Sequence, residues 1–187
     1  MALKPGSFLI SKPFLGDENF ERSVVLLCRD SASEGTLGVI VNRPMPTKLG
    51  EVLPGPGAQV PWIASLPLFY GGPVATDRVH ALHRAPALPG AVPIGGGVSW
   101  GGDFSSLLEL LFQKELSAAD VRLYVGYSGW SPGQLAEERQ RGSWITHPSQ
   151  PDEVFAPNPT ELWQSLVRAK GGRFAALSNY PRDPRSN

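Results

Sequence analysis

Cysteine is nearly absent from the sequence, and charged residues are scarce. The 187 residues contain one cysteine, Cys28, so no disulfide can form within the chain and no cysteine-rich metal site can be built. Charged residues make up 18% of the chain, and 17 basic residues balance 17 acidic ones. A chain of zero net charge has no overall attraction to nucleic acid or to an anionic membrane. We therefore expect no metal, no cofactor and no direct nucleic-acid binding.

Long apolar segments are missing as well. No stretch approaches the roughly 20 apolar residues that a membrane span needs. The N-terminal sequence MALKPGSFLISKPF lacks the apolar run of a signal peptide. We expect a cytoplasmic protein that does not associate with membranes. The hydrophobic fraction of 41% suffices for a core, and the length fits one domain over residues 1–187.

Glycine (21) and proline (19) are abundant, which is typical of a chain with many turns. The apolar runs between the turns predict strands, and spaced apolar residues predict about three helices. The mixture favours an α+β domain with a largely antiparallel sheet. Strands are predicted at 7–11, 23–29, 36–42, 68–70, 78–83, 121–127 and 144–146. A short helix is predicted at 47–53, and longer ones after Asp103, Ser131 and Asn158; loops are predicted at 54–67 and 85–90, and an extended tail at 178–187.

The segment VGYSGWSPGQLAEE at 125–138 resembles a nucleophile elbow, G-x-S-x-G between a strand and a helix. Ser128 would then be the nucleophile. The second glycine that this motif requires is replaced by Trp130, and an indole is hard to accommodate in so sharp a turn. A hydrolase that uses Ser128 remains an alternative hypothesis.

A structural interpretation accounts for more of the same segment. Ser131 can cap a helix, Pro132 suits the first helical position, and Gln134 completes a capping box. Trp130 and Leu135 have the spacing of a hydrophobic staple. We therefore favour a helix start over a catalytic serine.

The cysteine and the three histidines are the other candidates for chemistry. Cys28 lies in the apolar run VVLLC, which favours core packing over reactivity. His80 and His83 would point to opposite faces of a strand, which is poor geometry for one metal ion. His147 is the third histidine. An enzyme of unfamiliar type would need Ser128 or Cys28 exposed beside one of these rings.

The glycine run GGGVSWGG at 95–102 invites comparison with a phosphate-binding loop. Trp100 stands where the dinucleotide motif requires its next glycine, and no Gly-Lys-Ser/Thr follows. We interpret the run as a turn or bulge before the helix that Asp103 caps.

A cluster of polar residues at one end of the presumed hairpin is the candidate binding site. Arg22 begins one strand and Arg43 ends the other, with Asn42 beside it, so all three are expected to meet. They could bind an anionic ligand or a partner protein. The alternative is a solvated sheet end, where Asp17 pairs with one of the arginines. An exposed apolar patch near Trp62 or Trp100 would be a second sign of a protein-binding module.

Several motifs together resemble the YqgE/AlgH family of bacterial proteins. They are GSFLISKPFLGDENFERSVVLLC at 6–28, GTLGVIVNRP at 35–44, YGGPV at 70–74, VGYSGWSPGQL at 125–135, ELW at 161–163 and LSNYPRDP at 177–184. The resemblance implies an α+β fold with a coiled antiparallel sheet and no established enzymatic activity. It carries a transcriptional-regulator label but no catalytic residues. The shared positions that we interpret as structural are Gly71, Gly72, Pro73, Gly126, Tyr127, Gly129, Trp130 and Gln134.

The sequence departs from the family pattern at three positions. Members often have a histidine where this chain has Arg29-Asp30, a glutamate where it has Ala136, and an alanine where it has Ser128. Acid–base roles at these positions are therefore not supported. Strands separate the predicted helices, which argues against a helix-turn-helix. We expect a non-enzymatic module of unknown function that acts through a protein partner, with direct DNA binding least favoured.

Overall fold

The computed structural model describes residues 3–53, 60–85 and 87–179. They form a single α+β domain built on a ten-stranded open sheet, which confirms the predicted fold class. The strands are β1 (Ser7–Ser11), β2 (Val24–Ser31), β3 (Gly35–Ile40), β4 (Pro44–Lys48), β5 (Pro67–Tyr70), β6 (Val74–His83), β7 (Ala91–Gly95), β8 (Val98–Gly101), β9 (Val121–Trp130) and β10 (Trp144–Pro148).

The seven α-helices of the described residues are short. They are α1 (Leu49–Val52), α2 (Pro61–Ala64), α3 (Phe104–Phe112), α4 (Gln134–Gln140), α5 (Pro151–Val154), α6 (Leu162–Ala169) and α7 (Gly172–Leu177). Single 3-10 turns precede β9 and α6. Only α3, α4 and α6 reach seven residues, and these are the three longer helices that the sequence patterns predict. The short helix predicted at 47–53 is present as α1.

The sheet runs in the order β10-β1-β2-β3-β9-β6-β8-β7, with β4 and β5 attached beside it. Strand β9 pairs with three other strands. Its first half lies between β5 and β6, and its last residues pair with β3. The pair formed by β5 and β9 is parallel, and the other strand pairs of the described residues are antiparallel. The hairpin predicted from the two apolar runs is confirmed as β2 and β3.

Strand β2 is buried on both faces, as its continuous apolar run predicts. Val24, Leu26 and Cys28 face a core cluster that contains Trp163 of α6. The alternate residues Val25 and Leu27 face a second cluster with Trp130, Leu135 and Trp144. A third cluster surrounds Leu107 and Leu111 of α3. The amphipathic pattern of α6 is confirmed, because its four apolar residues at 162, 163, 166 and 167 are all buried.

The glycine run at 95–102 is the turn of a hairpin that the sequence analysis missed. Gly95, Gly96 and Gly97 all have positive φ, between 60° and 105°, and join β7 to β8. The predicted turn is confirmed, but the strands beside it were not anticipated. Asp103 then caps α3 by accepting the Ser106 N–H at 2.8 Å, as predicted.

The prediction that a helix starts after Ser131 was wrong in its details. Strand β9 continues through Trp130, and α4 begins at Gln134 behind Gly133, whose φ is 82°. Half of the capping box is present, since Ser131 N–H donates to Gln134 Oε1 at 3.0 Å. Pro132 lies in the turn and does not occupy a helical position. Pairing of β9 with β3 extends the strand to Trp130, and residues 131–133 connect it to α4.

Two other boundary predictions need correction. The predicted loop 54–67 contains α2, while its residues 54–59 lie outside the described part of the chain. The predicted extended tail begins instead with Ser178, buried in a turn that follows α7, and residues 180–187 lie outside the description. Strand β4 was missed because Pro44 was interpreted as the end of a strand. It is instead the first residue of the strand that pairs with β5.

Candidate functional site

Arg43 organises the loop formed by residues 17–22. Its Nη1 donates to the carbonyl of Asn19 at 2.6 Å, and its Nη2 donates to the carbonyls of Glu21 at 2.8 Å and Glu18 at 3.3 Å. The guanidinium also lies 6.0 Å from the centre of the Tyr70 ring. A planar fork of donors suits such a cluster of carbonyls better than a lysine ammonium would.

Asn42 has a structural task next to this loop. Its side chain is 6% exposed, accepts the N–H of Val24 at 2.8 Å and donates to the carbonyl of Arg22 at 2.9 Å. It therefore supplies backbone partners where β2 begins. Asn42 is therefore committed to the fold, as Arg43 is to the loop formed by residues 17–22.

Arg22, Asn42 and Arg43 line one cleft, so the structure brings together three of the four predicted residues. The cleft has a volume of about 500 Å³, and its other walls come from Glu21, Pro44, Tyr70 and Thr160. The guanidinium of Arg22 lies 5.1 Å from the centre of the Trp163 ring. Asp17 lies in a different pocket, where its carboxylate accepts the N–H of Asn19 at 2.9 Å.

A second cleft of about 550 Å³ adjoins the first and shares Pro44 and Thr160 with it. Its cation is Arg122, whose guanidinium lies 4.7 Å from the centre of the Phe69 ring and donates to the carbonyl of Ala156. Burial lowers the pKa of Arg122 below its usual range. We call the two clefts together the arginine groove. The second cleft is lined by Pro44, Pro67, Phe69, Ala118, Ala119, Val121, Arg122, Phe155, Pro157, Asn158, Pro159 and Thr160.

The arginine groove concentrates positive charge in a protein with no net charge. Its lining residues include three arginines (Arg22, Arg43 and Arg122) and one carboxylate, Glu21. Arg122 was not predicted as a site residue, although a charged residue within the apolar strand VRLYVGY was a usable signal. Its meeting with Arg22 and Arg43 depends on the pairing of β5 with β9, which the sequence does not reveal.

The serine and cysteine of the hydrolase hypothesis are both buried. Ser128 has no exposed surface and donates to the carbonyl of Gly71 at 3.0 Å. It lies within β9 opposite Gly38, not at a turn between strand and helix. Cys28 is 1% exposed, and burial raises the pKa of its thiol. A substrate reaches neither group in this conformation.

The histidines are dispersed, as their spacing predicts. His80 shares a strand face with Leu82 and stacks on Trp100, with ring centres 5.1 Å apart. His83 lies on the opposite face, fully buried. His147 lies near Lys170 and Glu153. Within the described residues, no three His, Cys, Asp or Glu side chains are grouped so as to hold a metal ion.

The glycine motifs of the sequence meet each other. A Cβ atom on Gly71 would collide with the carbonyl of Gly126, and one on Gly72 would collide with the backbone of Tyr127. Gly126 has a φ of 69°, which favours glycine. The turn after β5 therefore packs backbone to backbone on β9, with Pro73 leading into β6. This close approach explains why glycine is required at both glycine positions of YGGPV and at the first glycine of VGYSGW.

Of the two tryptophans expected to mark an apolar patch, Trp62 is 37% exposed, whereas Trp100 is half-buried under His80. In the parts of the chain that are described, no helix combines the length and the apolar character required to cross a membrane.

A sequence profile of the AlgH-like family matches residues 8–175, nearly the whole chain. The chain belongs to the AlgH/YqgE family. It is 39% identical over 186 residues to the UPF0301 protein CT0663 of Chlorobaculum tepidum, covering 99% of this chain and 96% of that one. It is 40% identical over 187 residues to a UPF0301 protein of Cytophaga hutchinsonii, covering 99% and 100%. The resemblance inferred from the motifs is thereby confirmed.

Two solved structures share this fold. A crystal structure of the protein DIP2367 from Corynebacterium diphtheriae superposes with a TM-score of 0.77 at 25% identity, covering 96% of this chain and 94% of that one. The solution structure of AlgH from Pseudomonas aeruginosa gives a TM-score of 0.72 at 26% identity, with coverage of 98% and 100%. The names of these four proteins state no activity.

Proposed function

We propose that this AlgH/YqgE protein is a non-enzymatic cytoplasmic binding module that holds an acidic segment of a partner protein in the arginine groove. The observation that carries the proposal is the charge of the groove, three arginines against one carboxylate in a chain of zero net charge. Guanidinium groups attract carboxylates and can donate hydrogen bonds to them. The Nη atoms of Arg43 already donate to loop carbonyls, so Arg43 contributes its charge.

The shape of the groove favours an extended peptide over a compact metabolite. Two adjoining clefts of about 500 and 550 Å³ share one wall at Pro44 and Thr160. Proline fixes its own φ angle, so walls rich in proline lose little freedom when a ligand binds. The apolar rings of Phe69 and Phe155 give the second cleft contact area for the side chains that flank an acidic residue.

The burial of Ser128 and Cys28 supports a module without catalysis. A regulatory role would then pass through the bound protein and not through DNA. Nucleic acid is the competing anionic ligand for the groove, and the experiment has to separate the two.

Thr160 offers a test that leaves the fold intact, because it is exposed on the wall shared by both clefts. Tagged parent protein, Thr160→Glu and Thr160→Gln would be used to capture partners from native lysate, with and without nuclease. We expect the parent and Thr160→Gln to retain the same partner. The added carboxylate of Thr160→Glu should abolish capture of the partner. Raised salt should weaken the binding of the partner to the parent protein.

Two results would contradict this proposal. Equal capture by Thr160→Glu and Thr160→Gln would show that the groove is not the binding surface. Loss of the captured protein after nuclease treatment would assign the groove to nucleic acid.

A further inference from the structure

A separate pocket lies on the other side of the loop that Arg43 holds. We call it the indole pocket; it has a volume of about 260 Å³ and is lined by Leu15, Asp17, Phe20, Gly129, Trp130, Gln134, Glu138, Ser143 and Trp144. The loop formed by residues 17–22 gives Asp17 and Phe20 to the indole pocket and Glu21 and Arg22 to the arginine groove. The two sites are therefore distinct in lining and opposite in charge.

Glu138 is held in one position by three neutral donors. The indole N–H groups of Trp130 and Trp144 both donate to its Oε2, at 3.0 and 2.7 Å, and Gln134 Nε2 donates to its Oε1 at 3.0 Å. A carboxylate offers about four acceptor positions, so this arrangement fixes Glu138 and leaves capacity for one more donor. Neutral donors orient the carboxylate without cancelling its charge.

The aromatic wall of the pocket consists of three rings in mutual contact. Phe20 stacks on Trp130 with centres 5.9 Å apart and an interplanar angle of 27°. Trp144 meets Phe20 edge-on at 5.4 Å and Trp130 edge-on at 5.9 Å. The π-electron faces of aromatic rings attract cations, most strongly for tryptophan.

The charges that line the indole pocket all have the same sign. Asp17 and Glu138 are carboxylates, and no lysine, arginine or histidine is among the lining residues. Asp17 is exposed, and its Oδ1 accepts only a local backbone N–H, from Asn19, among its described bonds. Two carboxylates and three aromatic rings therefore line one pocket, in which Phe20 is half-buried and Trp130 and Trp144 are 4% and 6% exposed.

We propose that the indole pocket binds a guanidinium group of the kind that arginine carries. A guanidinium is planar, so it can lie along an aromatic wall while its edge donates to carboxylates. A quaternary ammonium has no donors and would leave the remaining acceptor positions of Asp17 and Glu138 unused. The group can belong to a free arginine-like molecule or to an arginine side chain of a protein.

The test uses N-acetylarginine amide and its neutral isostere, N-acetylcitrulline amide. The full-length protein would be titrated with each while the indole N–H signals of Trp130 and Trp144 are followed by NMR. We expect saturable shifts of both signals with the arginine compound and none with the citrulline compound. A Gly-Gly-Arg-Gly-Gly peptide distinguishes the sources, because tighter binding of the peptide points to a protein and tighter binding of the amide points to a small molecule.

Matched variants separate binding from a structural role of the carboxylates. Asp17→Asn keeps an oxygen that accepts the Asn19 N–H and removes only the charge. Glu138→Gln keeps an acceptor for the indoles, and Glu137→Gln is the control, since Glu137 lies on the same helix but pairs with Arg141 away from the pocket. We expect Asp17→Asn and Glu138→Gln each to weaken binding by about fivefold or more, and Glu137→Gln to leave it unchanged.

Several outcomes would overturn the proposal. These are equal shifts with the arginine and citrulline compounds, no shifts at all, or unchanged affinity in a folded Asp17→Asn variant. Tighter binding of tetramethylammonium than of the arginine compound would reject the guanidinium assignment. Because the arginine groove is not involved, a failure here leaves the proposed function standing, and the Thr160 variants should bind the arginine compound normally.

Discussion

The hydroxyl of Ser128 donates a hydrogen bond to the carbonyl oxygen of Gly71 over a distance of 3.0 Å. The same carbonyl also accepts the N–H of Ile40, at 3.0 Å. One oxygen atom after β5 thus connects β9 with the end of β3. The hydroxyl acts as a donor in the protein interior, so the serine of VGYSGW links strands and is not presented to a substrate.

Ser128→Ala should therefore reduce stability only modestly. The carbonyl of Gly71 keeps its bond from Ile40, so it is not left unpaired, and we expect a loss of about 1 kcal/mol in the free energy of unfolding. Denaturation in urea measures this, with the exposed Ser105→Ala as control. If the parent protein hydrolyses an activated ester and Ser128→Ala does not, the nucleophile hypothesis is restored.

Asn42→Ala should cost more than Ser128→Ala. Its side chain makes two hydrogen bonds to backbone groups, and the N–H of Val24 that loses its partner is buried. We expect a loss of about 2–3 kcal/mol in the free energy of unfolding. Asn158→Ala is the matched control, because the Asn158 side chain makes no capping bond to its turn. Similar losses for the two variants in urea denaturation would show that the Asn42 bonds carry little net stability.

Neighbours in sequence can have unrelated tasks, as Asn42 and Arg43 show, which limits what sequence alone can predict. The backbone groups that these two residues contact lie 18 to 25 positions away, so no local pattern identifies them. The meeting of Arg22 and Arg43 in one cleft was predictable, because they flank the two strands of one hairpin at the same end. The contribution of Arg122 to the groove was not predictable, because it depends on the pairing of β5 with β9.

Whether a strand could be predicted depended on how continuous its apolar pattern is. The run in β2 is continuously apolar because both of its faces are buried, so its composition alone identifies it. In β7 and β8, glycine and proline interrupt the pattern, and the hairpin depends on pairing of β8 with β6. The helix start was predicted at Pro132, two residues before α4 begins, because Ser131 and Gln134 have capping spacing whether or not a helix begins there.

Arg43→Lys should loosen the loop formed by residues 17–22. A lysine keeps the positive charge but cannot reach three carbonyls with a planar fork, so local opening becomes more frequent. A protease that cleaves after glutamate can report this at Glu18 and Glu21. We expect cleavage there to be roughly tenfold faster in the native protein.

The control for the loop is Arg173→Lys, an exposed arginine on α7 that stacks on Phe174. It should leave the rate of cleavage at Glu18 and Glu21 unchanged. Equal rates in the parent and Arg43→Lys would mean that other contacts hold the loop.

His83 should make the protein less stable in mildly acidic solution. The buried ring accepts the N–H of Ala85 at its Nδ1, at 3.2 Å, so the proton of the neutral ring is on Nε2 and donates to the carbonyl of Gly101 at 3.1 Å. Burial lowers the pKa of His83 from its usual value. Protonation would place a positive charge in the protein interior, away from water. It would also remove the Nδ1 acceptor to which the N–H of Ala85 donates.

The sign of the effect follows from proton binding in the two states. Below about pH 6.5 the unfolded chain binds a proton at His83, whereas the folded protein does not. The free energy of unfolding therefore falls as the pH is lowered. The fall continues until the lowered folded pKa is reached and then levels off. Each unit of difference between the two pKa values contributes about 1.4 kcal/mol.

Urea denaturation at a series of pH values between about 7.5 and 5 measures this effect. His83→Gln retains a donor for Gly101 but does not titrate, so it should be less stable than the parent at neutral pH and show a flatter dependence on pH. His147→Gln is the matched comparison, because partial burial and the neighbouring Lys170 also lower the pKa of His147, while Glu153 at 3.8 Å offsets part of that shift by favouring the protonated ring. We expect His147→Gln to flatten the profile less than His83→Gln does. If His147→Gln flattens the profile as much as His83→Gln does, burial of the His83 ring is not the source of the acid sensitivity.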